Sequence, residues 1–191
     1  MSVPRVRLVT AAVVMLIAAA GCADSGSTPS RATTSGAAEP PATHQIRVTS
    51  SAVADGARLA DEYTCVNAGQ TLPLSWTTPP ETARFALIVD DPDAPGGLFT
   101  HWVVIDIPAT TTDIPEGGAP DGGTVLRNST DRIAYYAPCP PPGTGVHHYR
   151  FTVYALSHRV SLPPETPPDR ARITIEQNAI AQGALTATYG R

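Results

Sequence analysis

Lysine is absent from this chain, so all 13 of its basic residues are arginines, and 17 acidic residues outnumber them. The formal net charge is −4 at pH 7, and the arginines are scattered along the sequence. Nucleic-acid backbones and anionic membrane surfaces attract proteins through clusters of basic residues. The composition therefore argues against nonspecific nucleic-acid binding and against a membrane contact made by basic side chains.

No apolar run is long enough for a membrane-spanning helix. The longest, residues 8–20, has about 13 residues, whereas about 20 are needed to cross a bilayer. Arginines precede it and small residues follow it, which predicts a signal peptide over residues 1–21. Cys22 then resembles the lipidated cysteine of a bacterial lipobox, although Ala19 replaces the usual large aliphatic residue. We expect an extracytoplasmic protein anchored to the cell membrane by a lipid on Cys22, with simple secretion as the alternative.

Large apolar residues are scarce in residues 22–43, where Ser, Thr, Ala, Gly and Pro dominate. Such a segment cannot bury enough surface to offset its ordering entropy, so we expect a flexible linker that begins at the lipidated Cys22. Residues 44–191 are expected to form one folded domain. Without residues 1–21 the chain keeps 17 acidic and 11 basic residues, a net charge of −6. Membrane contact should therefore come from the lipid anchor.

Cysteines are few, and only Cys65 and Cys139 fall within the expected domain. Two thiols in an exported domain can pair as a disulfide. The alternative is two small buried thiols, and the sequence leaves both interpretations open.

The pattern of apolar residues predicts a mainly β domain. Residues 45–49 and 72–76 alternate apolar and polar side chains, which is typical of half-buried strands. Residues 85–89, 101–107 and 149–156 are nearly continuous apolar runs and predict central strands. The 20 prolines argue against a helical bundle. We therefore expect packed sheets.

One short helix is predicted near the C-terminus. Pro167, Pro168 and Asp169 give a start signal, and Gly183 is a candidate for its end. Residues 184–189 alternate again and predict a final strand.

The first loop with candidate functional side chains lies in residues 90–102 (DDPDAPGGLFTHW). Its two prolines restrict the backbone, so Asp91 and Asp93 should be held in place. His101 follows at the start of the next strand, so an acid and an imidazole can meet across the hairpin. The plainer interpretation is a turn whose carboxylates cap backbone amides.

The second loop lies in residues 137–149 (APCPPPGTGVHHY). Its four prolines preclude a central strand, and the Gly-Thr-Gly turn after them offers backbone amides to an anion. In the strand that follows, alternation places His147 and Tyr149 on one face and His148 on the other. Both loops are expected to feed side chains into one pocket.

These motifs, FALIVDDPDAPGG, THWVVIDIPA and PCPPPGTGVHHYRFTVYAL, resemble the phosphatidylethanolamine-binding protein family, in particular its bacterial Raf-kinase-inhibitor-like branch. The resemblance covers about residues 45–190. It implies a sandwich of two packed antiparallel sheets with a short C-terminal helix. It also implies a small pocket at one end that binds phosphate-like and acetate-like anions.

The resemblance assigns a set of ligand-binding residues to that pocket. They are Asp91, Asp93, Ala94, Pro95, His101, Pro140, Pro141, His147 and Tyr149. Imidazoles and a tyrosine hydroxyl can donate hydrogen bonds to phosphate oxygens, while a carboxylate can hold a histidine tautomer or receive an ammonium group.

Two stretches depart from the family pattern. Residues 66–74 (VNAGQTLPL) replace an acidic, glycine-containing stretch followed by Ser-Pro-Pro-Leu. Residues 133–137 (IAYYA) lack the usual glycines. We expect a different and bulkier rim that narrows access to the pocket.

The predicted function is a non-enzymatic, envelope-anchored binding protein for a small anion or a phospholipid headgroup. The alternative is an inhibitor of an extracytoplasmic hydrolase or other enzyme, acting through surface contacts with this protein target. Neither alternative requires a cofactor.

Catalysis and metal binding are weaker hypotheses for the function of the same residues. Cys139 lies between two prolines and lacks a helix N-terminus to lower its pKa, so it is a poor nucleophile, and we expect no catalytic residues. Asp91, Asp93, His101 and His147 could in principle ligate a metal. No HExxH motif or paired-cysteine motif supports such a site, so we expect no metal.

Overall fold

The computed structural model describes residues 45–191, which form eight strands and one α-helix. In chain order these are β1 (Val48–Thr49), β2 (Leu74–Trp76), β3 (Arg84–Asp91), β4 (Phe99–Pro108), β5 (Asp113–Ile114), β6 (Thr124–Leu126), β7 (Val146–Leu156), α1 (Pro168–Asn178) and β8 (Ala179–Gly190). A short 3₁₀ helix covers Asp61–Tyr63. The predicted signal peptide, the linker with Cys22, and His44 lie outside the described residues.

The strands form two antiparallel sheets. The larger has the order β6-β4-β3-β7-β8, and the smaller has the order β1-β2-β5. The prediction of a mainly β fold with two antiparallel sheets and one short helix is confirmed. Within residues 45–191, no helix is long and apolar enough to cross a membrane.

The main core lies between the two sheets. Phe85 of β3 contacts Trp76 of β2 edge to face, with ring centroids 5.8 Å apart. Leu87 and Val89 belong to the same buried cluster, because alternate residues of β3 share one face. The opposite face of the large sheet packs against α1, which contributes Ala171 and Ile175. Both faces of the central strands are thus buried, which explains their continuous apolar sequences.

Helix α1 ends earlier than predicted. It stops at Asn178, and the chain from Ala179 onward pairs with β7. Gly183 is therefore a strand residue and does not end the helix. A side chain at Gly183 would overlap the carbonyl oxygen of Ile46, so glycine here permits a close backbone approach. The pairing with β7 overrides the local helix pattern.

A β-bulge interrupts the pairing of β3 with β4 close to the predicted pocket. Val89 is opposite Trp102 and Asp90 is opposite Thr100, so His101 has no direct partner. Bulges of this kind redirect side chains. His101 and Trp102, although adjacent in sequence, both face the region between the sheets, where His101 contacts Tyr149 and Trp102 joins the core.

A disulfide joins Cys65 and Cys139, whose Cα atoms are 5.3 Å apart. The Cys65 N–H also donates to the carbonyl oxygen of Pro138, at 3.0 Å. The proline-rich segment is therefore attached to the chain that follows the 3₁₀ helix. Of the two interpretations left open by the sequence, the structure has the bonded one.

Candidate functional site

A small pocket of about 230 Å³ lies where the β3–β4 loop meets the proline-rich segment before β7. Most of the predicted ligand-binding residues line it: Asp91, Ala94, Pro95, His101, Pro140, Pro141, His147 and Tyr149. The two loops that the sequence singled out therefore do meet at one cavity.

Asp93 is the exception, since it lies beside the pocket and not in its lining. Its Oδ2 atom accepts hydrogen bonds from the backbone N–H and the Nδ1 atom of His148, both at 2.8 Å. These bonds lower the pKa of the Asp93 carboxyl. Alternation on β7 has sent His148 to the outer face, as predicted. Asp93 and His148 thus fasten the β3–β4 loop to β7, a role that differs from ligand binding.

Asp91 is buried and uses both of its carboxylate oxygens within the protein. Oδ2 lies 2.6 Å from Nδ1 of His147, and Oδ1 accepts the N–H of Asp93 at 2.8 Å. The acid of the first loop therefore meets the histidine of the second loop, and not His101 across its own hairpin. It holds the His147 ring in place, and each of its two oxygens already has one partner within the protein.

His147 is satisfied at both ring nitrogens. Its Nε2 atom lies 2.8 Å from the hydroxyl oxygen of Thr144. That hydroxyl also lies 2.7 Å from the carbonyl oxygen of Pro141, so Thr144 connects the His147 ring to the proline-rich segment. Both ring nitrogens of His147 therefore have partners within the protein, and a ligand that bonds directly to Nε2 would have to displace Thr144.

The Gly-Thr-Gly turn also differs from its predicted role as an anion-binding loop. The Thr144 N–H donates to Pro141, at 3.2 Å, and the Gly143 N–H points to the carbonyl of Arg191, at 3.5 Å. None of the three turn residues lines the pocket. The turn supports His147 instead.

His101 presents a free ring nitrogen to the pocket. Its Nδ1 atom lies 2.8 Å from the carbonyl oxygen of Tyr136, which can only accept, so Nδ1 carries the hydrogen. Nε2 is buried and has no partner among the described residues. Burial lowers the pKa of His101, which favours the neutral ring. Nε2 is then an acceptor.

Tyr149 supplies the complementary group. Its hydroxyl is buried and also has no partner among residues 45–191. Burial, and secondly the charge of Asp91, raises the pKa of this hydroxyl, so it keeps its hydrogen. The rings of Tyr149 and His101 meet edge to face with centroids 5.3 Å apart. One donor and one acceptor therefore lie close together in the same small cavity.

Sequence reasoning missed several lining residues, among them Phe99, Thr130, Tyr136 and Cys139. The Phe99 ring lies 4.8 Å from that of His101 and 5.7 Å from that of Tyr136. Phe99 precedes His101 by two residues on β4, so strand alternation was a signal for it. Tyr136 belongs to the stretch without the usual glycines, and its side chain is part of the pocket lining.

A larger groove of about 980 Å³ lies on the opposite face of the large sheet. There the buried Asp90 accepts a hydrogen bond from Arg150 Nε at 2.7 Å. It also forms an ion pair with Arg172 Nη2 at 2.7 Å, outside hydrogen-bonding geometry. Neighbouring Asp90 and Asp91 thus serve opposite faces. Since the groove's buried carboxylate is already paired, the smaller pocket is the better candidate despite its size.

Two other hypotheses from the sequence were metal binding and nucleophilic catalysis by Cys139. In residues 45–191, no three His, Cys, Asp or Glu side chains form a cluster that could hold a metal. Cys139 is in the disulfide, so it has no free thiol to act as a nucleophile.

Comparison with known proteins places these features in a family context. Residues 49–190 match the family model described as "Phosphatidylethanolamine-binding protein". A curated relative from Mycobacterium tuberculosis, named "Putative lipoprotein LppC", is 40% identical over 97% of this chain and 96% of its own.

Solved structures of similar chains share the fold. Escherichia coli YbcL, described as a member of the mammalian PEBP family, is 30% identical with a TM-score of 0.73, covering 77% of this chain and 99% of its own. The PEBP homologue CT736 from Chlamydia trachomatis is 29% identical with a TM-score of 0.71, covering 78% and 99%.

Proposed function

The chain belongs to the phosphatidylethanolamine-binding protein family, and from this premise we propose that its pocket binds one small oxyanion of the phospho-headgroup class without transforming it. One observation carries the proposal: His101 Nε2 and the Tyr149 hydroxyl are both buried, unpartnered and in the lining of the same cavity. Buried polar atoms normally have partners. A ligand with oxygen atoms would satisfy both.

The size of the pocket supports a headgroup over a whole lipid. Its volume of about 230 Å³ is below the roughly 300–1,000 Å³ of typical sites for drug-sized ligands. The pocket walls include the rigid Pro95, Pro140 and Pro141, and the disulfide at Cys139 restrains the adjoining segment. Acyl chains would have to remain outside.

The absence of a reactive pair supports binding without catalysis. Nucleophilic catalysis needs an activated nucleophile next to a base that can take its proton. Cys139 is oxidised, and the His147 nitrogens are bonded to Asp91 and Thr144. The Tyr149 hydroxyl has a raised pKa, which makes it a weak nucleophile.

We also propose that a lipid on Cys22 anchors the protein to the outer side of the cell membrane. The M. tuberculosis relative named as a lipoprotein matches 97% of this chain, so the similarity extends well beyond the domain into the N-terminal part. Together with the lipobox-like sequence, this favours anchoring over free secretion.

A titration with phosphoethanolamine tests the binding proposal, with the histidine ring resonances observed by NMR. We expect the His101 resonances to shift in a saturable way. Those of His158, an exposed residue just after β7, should remain unchanged and serve as an internal control. Ethanolamine without phosphate should have no effect. Unchanged His101 resonances at millimolar phosphoethanolamine would contradict the proposal.

Inhibition of an extracytoplasmic hydrolase stays a prediction from the sequence. No specific feature of residues 45–191 singles out an inhibitory loop. A pull-down from envelope extract that recovers no hydrolase would count against it.

A further inference from the structure

The pocket has few hydrogen-bond donors for an anion site. Among the described residues that line it there is no arginine, and the chain has no lysine. Three of its wall residues, Pro95, Pro140 and Pro141, have no backbone N–H to offer. An anion entering here therefore meets few of the donors and cations that usually hold phosphate.

The contact between His147 and Asp91 at the edge of the pocket does not fill this gap. His147 Nδ1 lies 2.6 Å from Asp91 Oδ2, and Nε2 lies 2.8 Å from the Thr144 hydroxyl oxygen. The side chains of His147 and Asp91 are only 1% and 5% exposed. Both ring nitrogens of His147 thus have partners within the protein, and neither is left free for a ligand.

His101 places a lone pair where a phosphate oxygen would lie. The Tyr136 carbonyl fixes the hydrogen on Nδ1, which leaves Nε2 without one in the neutral ring. Three neighbouring charges act on His101, since Asp91 and Asp90 favour its protonation and His147 opposes it, but burial is the dominant influence and lowers the pKa. Two lone pairs facing each other repel, so a hydrogen must be supplied between Nε2 and the ligand.

We infer that the pocket selects oxyanions that bring their own hydrogen, namely phosphomonoesters in the singly protonated form. Such a ligand donates its P–OH hydrogen to His101 Nε2 and accepts the Tyr149 hydroxyl hydrogen on a second oxygen. A phosphodiester has no P–OH group, so it binds only when His101 takes up a proton from solvent. This inference rests on the proposed oxyanion site and names the ligand class that the site prefers.

The proton balance of binding tests this inference by calorimetry. Binding is measured at pH 5.5 in two buffers with different ionisation enthalpies, once with phosphoethanolamine and once with glycerophosphoethanolamine. A phosphomonoester has its second pKa near 6, so roughly three quarters of it is protonated at this pH. We expect the diester to take up about three quarters of a proton more than the monoester, because the monoester already carries that fraction at this pH.

A variant provides the matched comparison. The amide of His101→Gln can donate from the position of Nε2, so this variant should bind the diester with no linked proton uptake. The comparison of the two ligands on the unmodified protein stands without the variant, should its fold be disturbed by loss of the bond to Tyr136. Equal proton uptake for both ligands would overturn the inference and leave oxyanion binding intact. Binding of neither ligand would overturn the proposed function itself.

Discussion

At the scale of single residues, the site separates side chains that are fully bonded from side chains that are not. Asp91 and His147 use every polar atom within the protein, whereas His101 and Tyr149 each keep one buried atom free. Leaving a buried hydrogen-bonding group without its partner typically costs about 1–3 kcal/mol, so the first two residues contribute to the stability of the fold. The second two residues are the ones available to a ligand.

Tyr149→Phe should therefore separate binding from stability. Removing a hydroxyl that is buried without a partner should leave the free energy of unfolding unchanged or raise it by about 1 kcal/mol. The lost hydrogen bond to a charged ligand is worth roughly 1.5–3 kcal/mol, so phosphoethanolamine affinity should fall about tenfold or more. Urea unfolding and calorimetry measure the two quantities.

Tyr154→Phe is the control for this variant, because Tyr154 lines the groove on the other face of the sheet. It should leave phosphoethanolamine affinity unchanged. If Tyr149→Phe bound phosphoethanolamine as tightly as the unmodified protein, the assigned role of the hydroxyl would be wrong.

His101 should make stability depend on pH in a defined direction. Burial lowers its pKa in the folded protein from the ordinary value of 6.5. The unfolded chain therefore binds more protons between the folded pKa and 6.5, so stability rises with pH across that window and falls as the pH drops below about 6.5. In His101→Gln, this contribution to the pH dependence of the free energy of unfolding should be lost, as measured by urea unfolding at several pH values. His158→Gln should retain it, and an unchanged slope in His101→Gln would contradict the assignment.

At the scale of secondary structure elements, strand patterns were more predictable than the contacts between strands. The apolar runs located β3, β4 and β7, and alternation separated His147 from His148 correctly. The contact of Asp93 with His148 joins residues 55 positions apart, so no local pattern contains it. The bulge at His101 likewise depends on the register of β3 against β4.

The end of α1 shows the same limit. Its local sequence permits continuation toward Gly183, but the pairing of β8 with β7 is a stronger constraint. Most of the pocket lining came from family resemblance, since composition alone does not bring residues 91–101 next to residues 140–149. The bonding state of each site residue required the structure.

Gly183→Ala should destabilise the fold by disturbing β8. A side chain at this position would overlap the Ile46 carbonyl, and Ile46 also donates its N–H to Gln182, at 3.3 Å. Forced overpacking typically costs about 1–3 kcal/mol, and backbone atoms cannot rotate away, so the upper part of this range is expected in urea unfolding. Gly96→Ala, where a methyl group meets nothing within 4 Å, is the matched control. Equal stability of the two variants would show that the close approach at Gly183 is not a constraint.

At the scale of the whole molecule, the sequence predicts an N-terminal part that anchors the protein to the membrane and a domain that binds the ligand. The domain carries the pocket, and residues 1–43 carry the predicted export and anchoring signals. Under the proposed anchoring, the predicted linker over residues 22–43 would connect the lipid on Cys22 to the domain that carries the pocket.

Anchoring through Cys22 has a direct chemical signature. Mass spectrometry of protein purified from its native membrane should find a chain that begins at Cys22 and carries acyl groups. Cys22→Ser should move the protein out of the membrane fraction, while a Ser25→Ala control should not. An unacylated N-terminus in the membrane-purified protein would contradict the anchor.

The most direct test of the oxyanion site is a crystal structure of residues 45–191 with phosphoethanolamine. The account predicts phosphate oxygens within hydrogen-bonding distance of both His101 Nε2 and the Tyr149 hydroxyl, with the Asp91–His147 contact preserved. Phosphate bound only elsewhere, for example on Arg150 and Arg172 in the larger groove, with the pocket between His101 and Tyr149 left empty, would contradict it.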